Sequence, residues 1–269
     1  MENSFVKNGY IIFKNAIPKN LVKKIQIATV DSLSIISRKK NYLSFCNTLK
    51  KIKIKEYEIV KPINKKIGSE GLISEILFQK KIINFINKNL GSDLAYLDDN
   101  VLTLNLPNKS SSKLNYHFKD WHQELWSGSD LSTLIFWTPN FQKDKNSGQI
   151  EFIIGSNKWG HVPHQNRKPI ILPKSYKTYQ TKLNLGDIVC FTSLTLHRTV
   201  PAQNIRLALP ILVRNFKLQN NSFDKNKNWK IFSYSDLTKI ERYLGNHYLS
   251  PFRLDQSTVN LNDGVLKRN

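Results

Sequence analysis

From residue 101 to residue 216 the chain alternates short apolar runs with turn residues, and that rhythm restricts the fold more than any other feature. Val101–Leu106 is closed by Pro107 and Leu131–Trp137 by Pro139. Gln149–Ile154, Thr178–Leu183, Asp187–Leu196 and Arg206–Phe216 follow, with Gly, Pro, Asn and Ser clusters in the gaps. Runs of this length between such breakers read as strands. Ahead of them, Tyr10-Ile11-Ile12-Phe13 reads as one further short strand. Apolar residues then recur at helical spacing from Leu21 towards Ile36, and again from about Gly71 to Leu90, where Gly91 supplies a stop. The Lys-rich stretch between these two helices has no assignable pattern. Gln219–Lys227 reads as an exposed loop, and Ser235-Asp236 opens a last helix, Leu237–Leu244, stopped by Gly245. The expectation is a mainly β fold, a sandwich or barrel with flanking helices. Neither a repeat nor a separating linker interrupts it, so residues 1–269 read as a single domain. Its parts are a helical portion over about 1–92, a β core over about 93–217 and an extension over 218–269.

Composition excludes several classes. With 40% apolar and 11% aromatic residues the chain can bury a core, so disorder is not its main state. No run approaches the ~18 apolar residues of a membrane span. The start, MENSFVKNGYIIFKNAIPKN, lacks a signal peptide's cationic and apolar regions. Two cysteines allow neither a disulfide framework nor a zinc ribbon, and Cys190 lies in an apolar run as a small hydrophobe. The expected compartment is the reducing cytoplasm. The net charge of +21 suggests anionic partners, but Lys is spread through the whole chain with Asn and Ile. Runs such as Arg38-Lys39-Lys40 and Lys50-Lys51-Ile52-Lys53 read as solvated faces with little aromatic interleaving, which does not favour nucleic acid.

The chemistry rests on six histidines: His117, His122, His161, His164, His197 and His247. His122-Gln123-Glu124 is a His-x-carboxylate pair, and on a strand residues i and i+2 share a face, so both can reach one ion. His197 follows the apolar run that ends at Leu196. Two imidazoles and one carboxylate make the facial triad of non-haem Fe(II) oxygenases, which leaves open coordination positions. His117 and Asp120, at i and i+3, point to opposite faces of a strand. His161 and His164 flank Pro163 and read as surface or substrate-side residues, while Trp126, Trp159 and Tyr179 read as packing or pocket-wall groups. A His-x-Glu tripeptide alone is a weak signal.

Its surroundings raise its weight. In order the chain reads Trp121-His122-Gln123-Glu124, Leu134–Pro139, Gly148–Gly160, Leu185-Gly186-Asp187, His197-Arg198-Thr199 and Arg206-Leu207-Ala208-Leu209. Together with the opening Asn8-Gly9-Tyr10, this series resembles the phytanoyl-CoA dioxygenase-like family of Fe(II)/2-oxoglutarate oxygenases. The resemblance implies a double-stranded β-helix (jelly-roll, cupin-like) core. It places His122, Glu124 and His197 on the metal-ligand positions. Arg206 falls on the position that grips the distal carboxylate of 2-oxoglutarate, Thr199 on that of an assisting hydroxyl, and Trp137 on that of a cosubstrate-contacting Trp. The chain departs from the pattern in three places. Glu124 stands for the usual Asp, Ile154-Gly155-Ser156-Asn157 lacks the usual His, and the spacing from His197 to Arg206 is short, with Arg214 as the alternative anchor.

The resemblance implies a hydroxylase that consumes 2-oxoglutarate and O2, releases succinate and CO2, and acts on a small or carrier-linked molecule. The basic composition leans towards an anionic substrate. Glu124 argues against the related halogenases, which leave the carboxylate position vacant. Two other classes stand beside this reading: a non-catalytic jelly-roll binding protein, and a basic protein directed at nucleic acid.

Overall fold

A computed structural model describes residues 2–32, 56–97, 102–105, 120–127, 129, 131–144, 147–165, 168–200, 204–216, 229–236, 239, 259–260 and 267–268. The chain opens with helix α1 (Glu2–Asn8), strand β1 (Tyr10–Phe13) and helix α2 (Lys19–Ser32). Helices α3 (Glu56–Ser69), α4 (Leu72–Leu77) and α5 (Lys80–Leu90) follow. The strands are β2 (Leu94–Leu97), β3 (Thr103–Asn105), β4 (Leu134–Phe141), β5 (Ile150–Ile153), β6 (His164–Gln165), β7 (Lys168–Pro169), β8 (Thr178–Gln180), β9 (Ile188–Thr192), β10 (His197–Thr199), β11 (Arg206–Asn215) and β12 (Trp229–Ser233). The expected helix over residues 237–244 and the loop over 219–227 lie largely outside the described residues.

The major sheet runs in the order β1-β9-β4-β11-β2-β12, with β3 also on β11, and the minor sheet is β10-β5-β8. Neighbours in both sheets pair antiparallel. Alternation along the strands sorts the side chains into two layers. Leu134 and Phe136 of β4, Ile188 and Cys190 of β9, and Leu207, Leu209, Ile211 and Val213 of β11 face the helices. Ile135 and Trp137, Val189 and Phe191, and Ala208 face the other way, where they meet Ile150 and Phe152 of the minor sheet. Tyr10 joins this inner layer, stacked on Phe152 at 4.6 Å and on Tyr179 at 5.3 Å. The expected mainly β jelly roll with flanking helices is therefore present, closed by facing sheets. The major sheet draws β1 and β12 from outside the expected core of about 93–217.

Several elements differ from their sequence pattern for identifiable reasons. The single helix expected over 71–90 is broken at Phe78 and at Gln79, whose backbone is extended. Its buried residues explain the break: at about 100° per residue, Leu72, Ile73, Ile76 and Leu77 lie nearly opposite Ile82, Phe85 and Ile86 on a straight helix. Only a change of direction brings both stripes to one core. Helix α3 forms from the unassigned Lys-rich stretch because Val60, Ile63 and Ile67 make a buried stripe, despite Pro62 inside it. Strand β4 does not stop at Pro139. Its pairing with β9 ends at Trp137, and on the other side the register shifts between Leu207 and Ala208, opposite Pro139. Proline is tolerated at such an irregular edge. Among the described residues no helix is long and apolar enough to cross a membrane.

The Gly186-Asp187 pair closes the turn into β9. Gly186 has φ +91°, and a Cβ there would meet Ile17 O at 3.0 Å. Asp187 accepts hydrogen bonds from Lys14 Nζ at 2.8 Å, Asn15 N at 2.9 Å and Asn184 N at 2.9 Å, which ties β1 to β9. Burial pushes its carboxyl up, but these donors outweigh burial and hold it below the ordinary carboxylate range. The stabilisation is therefore present above the unfolded-state value of about 4 and is lost as pH falls through the folded one. Asp187→Asn should cost roughly 1–3 kcal/mol at neutral pH. The gap between the two proteins in urea midpoint should close as the pH is taken below about 4.

Candidate metal centre

His122 and His197 are joined by an isolated antiparallel bridge: His122 N donates to His197 O at 3.0 Å and His197 N to His122 O at 3.1 Å. This contact adds the 120–127 segment to the minor sheet beside β10. His197 is the first residue of β10 and not the end of the preceding strand, because β9 stops at Thr192 and Ser193–Leu196 turn the chain into the other sheet. Glu124 does not continue a strand from His122 either. It begins a 3-10 turn, Glu124–Ser127. The i, i+2 pair nevertheless converges: Glu124 Oε1 lies 3.4 Å from Nε2 of His122 and 3.4 Å from Nε2 of His197. All three ligand atoms lie within 4.8 Å of one another, and both imidazoles are buried.

The orientation of the rings is built into the backbone. His122 Nδ1 lies 2.7 Å from Asp120 O, and His197 Nδ1 lies 2.9 Å from Thr195 O. A carbonyl oxygen only accepts, so each Nδ1 carries a hydrogen, and each ring presents its Nε2 to the side where Glu124 stands. Such hydrogen bonds from the far ring nitrogen are how proteins fix a metal-binding imidazole. Ligands ~2.1 Å from a shared ion at angles of ~90–110° stand ~3.0–3.4 Å apart, which matches the two separations of 3.4 Å between Glu124 and the imidazoles. Two imidazoles, one carboxylate and these spacings suit a divalent transition metal such as Fe(II).

Gln123, between the two expected ligands, was not singled out by its sequence pattern. It is fully buried, donates to Gly160 O at 2.8 Å and Leu194 O at 2.7 Å, and accepts from Val162 N at 2.9 Å. It thereby pins the ligand segment to the turn before His197 and to the 160–162 loop. A polar residue inside an otherwise aromatic and ligand-bearing stretch was the available signal. Thr195 is held in turn by Gly9 O and Thr192 Oγ1, so the amino-terminal segment braces the carbonyl on which His197 rests.

The remaining expected residues lie deeper on the same inner face. His197 pairs with Phe152 and Thr199 with Ile150, both inner-layer residues, so Thr199 faces inward one step further from the three ligands. Arg206 starts β11 and is wholly buried. Its Nη1 donates to Gly148 O, while Nε and Nη2 have no hydrogen-bond partner among the described residues. Its guanidinium lies 4.8 Å over the ring of Trp137. Burial pulls its pKa down to about 9, the mark of a cation set where an anion would relieve it. Arg214, the alternative anchor, is at the other end of the same strand, paired with Ala95. His117 and His247 lie outside the described residues.

No family model and no curated protein matches the chain. Among solved structures it is similar to the apo form of the non-haem monooxygenase ThoJ, at 14% identity over 87% of this chain and 84% of that one, with a TM-score of 0.59. It is similar to the non-haem α-ketoglutarate-dependent carbocyclase SnoK from nogalamycin biosynthesis, at 14% identity over 83% and 86%, with a TM-score of 0.56. It is also similar to EvdO2 from Micromonospora carbonacea var. aurantiaca, solved in complex with 2-oxoglutarate, at 14% identity over 82% and 95%, with a TM-score of 0.50. At these identities the likeness establishes a shared fold.

Gln123 offers a test of the centre that touches none of the ligands. Gln123→Leu removes the ties to Gly160, Val162 and Leu194 while keeping the side-chain volume. Affinity for Fe(II) under anaerobic dialysis should fall about 10–100-fold, as for other groups that orient ligands.

Proposed function

We propose that the chain is an Fe(II)/2-oxoglutarate-dependent dioxygenase of the phytanoyl-CoA dioxygenase-like type, a single-domain hydroxylase of a small or carrier-linked molecule. The observation that carries this reading is one inner face bearing both the convergent His122–Glu124–His197 set and, deeper, the buried and partly unpartnered Arg206. The fold shared with non-haem oxygenases supports it. A non-catalytic jelly roll would give neither three convergent ligands nor a buried guanidinium any purpose.

In this reading His122, Glu124 and His197 hold the iron. The two rings bind as neutral ligands pre-set by Asp120 O and Thr195 O, and Glu124 contributes the anionic one. Iron and 2-oxoglutarate bound there supply the oxidation, in which O2 and the diacid yield succinate, CO2 and a C–OH from a substrate C–H. Arg206 anchors the distal carboxylate. Its unpartnered Nε and Nη2 form the side-on fork that matches two carboxylate oxygens. The Trp137 ring holds the plane of that fork, and the Thr199 hydroxyl serves the same carboxylate from β10. Phe152, Phe191 and Tyr10 line the inner layer with apolar surface, which keeps water from the reacting groups. Among the described residues, lysines such as Lys158, Lys174 and Lys177 are exposed and belong to the solvated surface.

Replacement of the fork separates cosubstrate binding from metal binding. Arg206→Ala should leave Fe(II) bound while 2-oxoglutarate affinity falls by the roughly 2–5 kcal/mol typical of truncating a buried charge pair. Arg206→Lys, which keeps the charge and loses the fork, should fall between the two. Isothermal titration of the Fe(II)-loaded protein without O2 reads both. Unchanged affinity in Arg206→Ala, with loss in Arg214→Ala instead, would move the anchor to the far end of β11.

A further inference from the structure

The turn that begins at Glu124 carries polar atoms that the metal centre does not use. Trp126 Nε1, Ser129 Oγ and His164 Nδ1 are buried and have no hydrogen-bond partner among the described residues. They are neighbours of the ligand segment by direct contact. Ser129 N donates to Glu124 O at 3.3 Å, and Trp126 N to Gln123 O at 3.2 Å. The Trp126 ring stacks on His164, with centroids 4.6 Å apart and planes 26° from parallel. Gln123 fastens the same two stretches together, since its side chain bonds both Gly160 O and Val162 N just before His164. On the same stretches the side chains of Gln123 and Ser156 are satisfied within the protein. Three unsatisfied groups, on the segment that follows the carboxylate ligand and on the strand stacked against it, are a pattern that a polar ligand would complete, because a buried donor without an acceptor is destabilising.

We propose that Trp126, Ser129 and His164 form a subsite for uncharged oxygen groups of the substrate, hydroxyl or carbonyl, beside the metal centre. This rests on the reading of His122, Glu124 and His197 as that centre. The indole N–H only donates, the Ser129 hydroxyl donates and accepts, and the imidazole nitrogen does either. Such a mixed set suits hydroxyl groups, which themselves donate and accept. No Lys or Arg belongs to the trio, so it offers an anion no opposite charge to pair with. The substrate class is therefore a neutral, oxygenated molecule, and not the anionic one that composition suggests. The stacked rings of Trp126 and His164 give its carbon skeleton an apolar wall.

The test uses the full chain loaded with Zn(II), a diamagnetic substitute for iron, together with 2-oxoglutarate. The indole N–H resonance of Trp126, assigned by its loss in Trp126→Phe, is followed by NMR during titration with two matched probes. These are trans-1,2-cyclohexanediol, which is neutral, and cyclohexanecarboxylate, which puts an anion on the same ring. The expected result is a saturable shift with the diol, little with the carboxylate, and diol binding about three- to tenfold weaker in Ser129→Ala. A shift with the carboxylate alone, or with neither probe, overturns the subsite, and the wild-type titration decides this even if a variant folds poorly. Zn(II) and 2-oxoglutarate affinities measured on the same samples separate the two readings. Retained affinities with no indole shift remove the subsite alone, while a diol shift in a chain that binds no metal upholds the subsite and removes the metal centre.

Discussion

Everything at the candidate centre depends on one short contact between backbones, the antiparallel bridge of His122 with His197. It joins a segment that has left the β core to the first residue of β10, and so brings two imidazoles to ring centroids 4.1 Å apart. The two rings are then set in the same way. Each gives its Nδ1 hydrogen to the carbonyl two residues earlier, Asp120 O for one and Thr195 O for the other. Neither choice of ring face is left to side-chain packing alone, because the bridge and the carbonyls both belong to the main chain. Glu124 completes the set from the start of a 3-10 turn, where its backbone can leave the bridge while its carboxylate stays beside both rings.

A second constraint acts at the deep end. A guanidinium with no exposure and two unpartnered nitrogens is an expensive thing to bury, and its depressed pKa expresses that cost. Stability optimisation alone would replace it with an apolar residue, as buried charges often can be. Its presence on the inner face, over Trp137 and against Gly148 O, is intelligible when an anion shares the burial. Binding of a dicarboxylate there would also stabilise the folded chain by mass action, so the cosubstrate and the fold support each other.

How far the sequence reaches is best seen residue by residue. Tyr10–Phe13 and the strand from Arg206 are legible because apolar runs between breakers have few alternatives. The split between α4 and α5 is hidden, because each half is amphipathic by itself and only the angle between their stripes betrays the break. Pro139 misleads for a related reason: a proline signal is local, whereas its tolerance depends on where β9 stops pairing. The three candidate ligands are visible through ordered motifs, although the strand geometry that made the His122–Glu124 spacing plausible is not the geometry that brings them together. Gln123 escapes notice because an alternating strand would point it away from the centre, and its ties to Gly160, Val162 and Leu194 are contacts across distant loops. Trp126 reads as a packing or pocket-wall group and His164 as a surface or substrate-side residue, but nothing in one dimension shows that their rings stack.

The central claim is that His122, Glu124 and His197 hold one iron ion, and diffraction answers it without recourse to activity. Crystals of the full chain grown without O2 and soaked in Fe(II) can be measured on both sides of the iron absorption edge. A single iron-specific anomalous peak per chain is expected, ~2.0–2.2 Å from Nε2 of His122, Nε2 of His197 and a carboxylate oxygen of Glu124. Iron bound elsewhere, or no iron peak among these three side chains, would contradict it.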